Sequence, residues 1–258
     1  MSLLSNDKHS QLSGKTPTSS FTTDLPGDCL NLIFNGLKTR DDRNSFGLTC
    51  HQWLCIQNNN RESLWFRNRD KDPRISLLIL YKLLSRFPNL KCLFLTSGLP
   101  KITYFLISKK LFFESKVQYL YLDYYNQNAD IELSSMFSWF PHLTFIRLRC
   151  SHITDKGLES LLKCCPSLKK VRLTGCHSIT DLGIRSLIEN CQQLGSLCIS
   201  SCSKITGIGF LECAKTLTYV GAGGCKLKVE GINAILSSGA IRDLFGKECI
   251  NPEAVMTI

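Results

Sequence analysis

The hydrophobic pattern is sharpest from Leu168 to Cys191, LKKVRLTGCHSITDLGIRSLIENC. Leu168, Val171 and Leu173 alternate with polar residues, as in a short strand with one buried face. Cys176 is small and apolar enough for a point where the chain turns inward, and Ile179 returns to the core. Thr180 and Asp181 offer side-chain oxygens to a helix start, and Ile184, Leu187 and Ile188 then recur at helical spacing. The stretch predicts one strand, a turn and one helix.

The unit recurs along the chain. Leu194, Ile199, Cys202, Ile205 and Thr206 repeat it downstream, and Leu143, Ile146, Leu148, Cys150, Ile153, Thr154, Asp155 and Leu158 repeat it upstream. Weaker copies start at Leu90, Val117, Leu217 and Ile241. The period of 23 to 27 residues falls in the range of leucine-rich repeats. A single unit of this kind cannot bury its apolar face, so neighbours must stack, and seven are enough to be stable. The fold expected from residue 90 onward is an α/β solenoid arc. It stops at Ile258, partway through the seventh unit and without the polar cap solenoids ordinarily carry. NPEAVMTI is therefore expected either to pack as a crude lid or to mark a shortened relative.

Strand alternation turns the leucines inward and the residues between them toward a concave face. The residue between the last two apolar positions runs Phe94, Tyr121, Arg147, Arg172, Cys198, Gly221. Arg149, Lys169 and Lys170 lie close by. The face therefore passes from aromatic through basic to small residues. The basic group is expected to hold an acidic or phosphorylated segment of a protein, and Phe94 and Tyr121 an apolar side chain, since the guanidinium fork suits carboxylate and phosphate. The plainer alternative is that these charges only solvate the surface.

The amino-terminal pattern is different. Residues 1–23 hold ten Ser or Thr and little that would form a core, so a disordered tail is expected. From Asp24 to Gln57 the apolar residues Leu30, Ile33, Phe34 and Leu37 form one helical stripe after Leu25-Pro26. Asp24 is a candidate cap for that helix, Thr39 with Asp42 for a second, and Thr49 for a third carrying Cys50, Trp53, Leu54 and Ile56. Three helices in so short a stretch cannot hide all these apolar side chains, and surplus apolar surface meets a partner.

Leu25, Pro26, Leu30, Ile33, Leu37, Cys50 and Trp53, in that order and spacing, resemble an F-box, and with the cysteine-bearing repeats the chain resembles plant F-box proteins carrying leucine-rich repeats. His51 stands where Arg or Lys is common in that family. The resemblance implies a Skp-family adaptor as partner, docked on Leu25, Pro26, Leu30, Ile33, Phe34, Leu37, Cys50 and Trp53, and through it a cullin-based ubiquitin ligase. The chain itself would be a substrate-recruiting subunit without catalysis or cofactor. Some relatives with much larger solenoids hold a small molecule in the concave face, which would need a deeper cavity than seven short units give. The alternative for the stripe is ordinary core packing. Residues 58–89 are expected to link the two parts, with Leu64-Trp65-Phe66 packing on the first repeat and Pro73 breaking any continuous helix.

Composition changes this picture little. The net charge of +10 is spread over 31 basic and 21 acidic residues without a long like-charged run, which favours acidic partners generally. A non-degradative interaction scaffold and a nucleic-acid binder remain as other classes, the second marked by steep salt dependence. No basic region followed by an apolar run opens the sequence, and Ile75–Leu84 is too short and too interrupted to span a bilayer. A reducing compartment, nucleus or cytoplasm, is thus expected, with the 14 cysteines as thiols. Their spacing follows the repeat and not a zinc pattern. Cys176-His177 is discounted as a nucleophile pair because adjacent strand residues face opposite ways, and Gly221–Lys226 lacks the spacing of a phosphate loop.

Overall fold

The computed structural model describes residues 25–67, 73–96, 115–123, 129–149, 152–211, 217–237 and 241–243. The expected tail, Asp24, Cys150 and the segment after 243 lie outside the described residues. The chain divides between Gln57 and Asn58 into two units.

The first unit is three helices, α1 (Gly27–Gly36), α2 (Arg40–Phe46) and α3 (His51–Asn59). Pro26 stands at the N-cap of α1, where its fixed φ suits a helix start and its missing N–H costs nothing. Thr39 caps α2 as the sequence predicts, accepting the Asp42 N–H at 3.0 Å. Helix α3 opens at His51, which puts Cys50 and not Thr49 at its cap position. Leu30, Phe34, Phe46 and Ile56 form the core, with Leu37 and Trp53 packed on it. Phe46 meets Phe34 edge-on at 5.2 Å and stacks on Trp53 at 4.4 Å. Arg43 lies over the Phe34 ring at 5.5 Å, and its Nε donates to the Leu37 carbonyl at 2.9 Å. Gly47 lies against the Gln57 amide, which a Cβ there would displace.

In the second unit the described strands form one parallel sheet in chain order. They are β1 (Ser63–Arg67), β2 (Cys92–Thr96), β3 (Tyr119–Asp123), β4 (Phe145–Arg149), β5 (Lys170–Thr174), β6 (Ser196–Cys198), β7 (Tyr219–Gly221) and β8 (Ile241–Asp243). The intervening helices are α4 (Pro73–Arg86), α5 (Ala129–Phe137), α6 (Asp155–Cys164), α7 (Asp181–Asn190) and α8 (Val229–Ser237), with a short 3-10 turn at Ile208–Phe210. Leu64, Leu93, Leu120, Ile146, Val171, Leu197 and Val220 stand in register and are buried on one face. This is the expected α/β leucine-rich-repeat solenoid.

Its two ends differ from the expected repeat boundaries. The segment 58–89 contributes a strand and a helix of its own, because Leu64-Trp65-Phe66 pairs with Leu93-Phe94-Leu95 in the sheet. Pro73 begins helix α4, at the position where proline is tolerated. At the far end Ile241 aligns with Tyr219 and not with Leu217, so the last copy is displaced by two residues from its predicted start.

Two ladders bind the middle repeats to the ones before them. Thr180 caps α7 by accepting the Leu182 N–H at 3.2 Å, while its own N–H and hydroxyl donate to the Asp155 carboxylate at 2.9 and 2.6 Å. Thr154 donates to Asp130 and Thr206 to Asp181 in the same two ways. Asp181 also accepts from the Gly207 and Gly209 N–H groups at 2.9 and 3.1 Å. The Asp of each Thr-Asp pair thus serves the following repeat. Gly183 lets that carboxylate approach, since a Cβ there would collide with Asp155 Oδ1.

The cysteines make the second ladder. Cys176 and Cys202 donate across to the Leu148 and Leu173 carbonyls, each at 3.6 Å, and Cys225 to that of Ile199 at 2.7 Å. Cys176 and Cys202 are therefore weak donors as well as small buried hydrophobes, whereas Cys225 is half-buried. Ten described cysteines are free thiols, whereas Cys198 is disulfide-bonded, against the expectation of thiols throughout.

Candidate functional site

The helical unit sorts its eight predicted contact residues into three groups. Leu25, Pro26, Ile33 and Cys50 are exposed, Leu25 and Ile33 at 42% each. Leu37 and Trp53 are half-buried on the core. Leu30 and Phe34 are core residues and offer a partner nothing directly. Helix α1 presents two faces: positions 30 and 34 turn inward, while Leu32 and Ile33 turn outward. Sequence reasoning missed Leu32 and Leu48, which are 73% and 85% exposed. Leu32 lies off the i, i+3, i+4 stripe, which was the available signal. Gln52 ties down the start of the surface, its amide donating to the Leu25 carbonyl at 3.3 Å.

On the concave face of the sheet the predicted residues fall in one row. Trp65, Phe94, Tyr121, Arg147, Arg172, Cys198 and Gly221 are cross-strand partners in succession. Trp65 stacks on Phe94 at 3.8 Å and Phe94 on Tyr121 at 4.2 Å; Tyr121 tilts against Phe145 at 5.0 Å. Stacking buries Phe94 and Tyr121, so their ring faces are already occupied, and the accessible aromatic is Trp65 at 61% exposure. Burial pushes the Tyr121 phenol up to about 12 against the opposing pull of Arg172 and Arg147, and the Cys92 thiol beside it likewise to about 12. Trp65 and Phe145 are the site residues that sequence reasoning missed. Alternation would have put Trp65 in the row once its segment was read as a strand.

The cations sit beyond this aromatic floor. Arg172 lies over the Phe145 ring at 5.9 Å. Arg147 Nε is 4.0 Å from Asp123 Oδ1, an ion pair too long for a hydrogen bond, and among the described residues that buried oxygen has no hydrogen-bond donor. Arg149 stands opposite Asp123 in the next row. Lys170 opens β5 and is exposed; Lys169 precedes the strand, exposed at its end and outside the concave rows. The arrangement can hold an anion beside an apolar group.

Among the described residues no three His, Cys, Asp or Glu side chains are grouped to hold a metal ion, and no helix is long and apolar enough to cross a membrane. Cys176 is buried while His177 is exposed beside Ser203 at 3.3 Å, so they form no nucleophile pair.

The parallel strands, their helices and the inter-repeat ladders define a leucine-rich-repeat protein. Residues 100–229 match the family model described as At1g61320/AtMIF1, LRR domain. The chain is 45% identical over 230 residues to the F-box/LRR-repeat protein 12 of Arabidopsis thaliana, a match covering 85% of this chain. It belongs to the F-box/leucine-rich-repeat family. The chain spans 58% of that relative's length.

Proposed function

We propose that this chain is a substrate-recognition subunit of a Skp-cullin-F-box ubiquitin ligase. In this reading the helical unit docks a Skp-family adaptor and the concave face of the repeats binds the protein to be modified. The supporting observation is the apolar surface of the helical unit. Leu25, Leu32, Ile33 and Leu48 stand exposed on a unit whose core, among the described residues, is Leu30, Phe34, Phe46 and Ile56, with Leu37 and Trp53 at its edge. Exposed apolar surface of that extent is a protein-interaction face. Leu30 and Phe34 hold α1 in place and act on the adaptor only through it. The chain itself carries out no catalysis; it raises the local concentration of a target beside an enzyme that other subunits bring.

Co-expression with a Skp-family adaptor followed by size-exclusion chromatography tests this. Wild type is expected to elute as an equimolar complex and the double variant Leu25→Ala, Pro26→Ala as free chain. Co-elution of that double variant with adaptor, or no complex with wild type, would overturn the docking assignment.

A further inference from the structure

We propose that the concave face reads its target at two points on one extended segment crossing the strands: a large apolar side chain seated on Trp65, and a carboxylate or phosphate held by Arg172 and Lys170. This rests on the concave-face reading above and adds to it the spacing of the two groups. The aromatic row leaves only one accessible member. Phe94 is closed by Trp65 on one side and Tyr121 on the other, whereas Trp65 is the open end of the stack. Among the cations, Arg147 faces Asp123, which offsets its charge. Arg172 lies on Phe145, and Lys170, one concave row away on the same strand, is exposed. The apolar contact is therefore on β1 and the anion contact on β5.

Those two strands are separated by four inter-strand steps, about 19 Å at roughly 4.8 Å per step. An extended chain advances about 3.3 Å per residue, so the two target residues are separated by about five to six positions. The order along the face, apolar then cation, suits an extended peptide.

Fluorescein-labelled peptides carrying one Leu or Trp and either a Glu pair or a phosphoserine, at separations from about two to nine residues, are titrated into the full chain by anisotropy. Binding is expected to be tightest at a separation of about five to six, by about tenfold over the shortest, in at least one anion series. The series that binds names the anion. Trp65→Ala should flatten the dependence on spacing and Trp65→Phe should keep it, with circular dichroism confirming that both fold. Equal affinity at every separation, unaltered by Trp65→Ala, would sink the two-point proposal while leaving the basic face standing. Unchanged binding in Lys170→Glu, Arg172→Glu would overturn the concave-face reading itself. Tighter, steeply salt-dependent binding of an oligonucleotide would do the same.

Discussion

The two units of this chain handle apolar surface in opposite ways. The helical unit leaves Leu32 and Leu48 more exposed than Leu25 and Ile33, though all four are large and hydrophobic. The solenoid repeats the same few side chains until nearly every inward leucine is covered by its neighbour, and it adds carboxylate and thiol ladders between turns. A short helical cluster runs out of interior; a solenoid makes interior by repetition. The same residue type is thus exposed surface in one unit and core in the other.

The contrast breaks most sharply at the solenoid core. Leu173→Ala removes a fully buried side chain from the middle of the stack and should lower stability by about 2–5 kcal/mol, read as a fall in the urea midpoint. Asp155→Ala comes next: it strips Thr180 of the acceptor for both its N–H and its hydroxyl and should cost about 2–3 kcal/mol. Gly183→Ala forces a methyl group against that same carboxylate and should cost about 1–3 kcal/mol. Each is expected to leave adaptor binding intact in the folded fraction.

Alkaline pH sharpens the comparison by a smaller effect. Burial raises Cys165 from 9.0 to about 12, and Cys191 and Cys225 to about 11. The unfolded chain therefore releases these protons first. Stability contributed by the neutral thiols is complete below pH 9.0 and is lost as pH climbs through 11 to 12. A thermal melt series over that range should show the solenoid softening, and mass spectrometry after brief iodoacetamide treatment at neutral pH should find Cys29, Cys50 and Cys55 alkylated well before Cys165, Cys191 and Cys202.

The smallest effect on folding comes from the helical surface. Leu32→Ser with Leu48→Ser should shift the thermal midpoint hardly at all, by about 0.5 kcal/mol or less per site, yet weaken the adaptor complex in a pull-down. A large loss of stability in that pair would place both residues in the core and erase the contrast.

Much of this was legible in the sequence because repetition is a strong signal. Alternation at Leu168, Val171 and Leu173 and recurrence near 26 residues determined the solenoid, the concave row from Phe94 to Gly221 and the buried role of Cys176 and Cys202. Thr39, Thr154 and Thr180 were readable as caps because a cap is a local arrangement of neighbours in sequence. The tertiary structure alone decided the rest. That Asp155 serves Thr180, that Phe94 and Tyr121 are closed by stacking while Trp65 stays open, and that Leu30 faces inward while Leu32 faces out are relations between residues far apart in sequence or on opposite sides of one helix. Periodicity tells which side chains share a face. Which of those faces another element covers depends on how the chain returns upon itself.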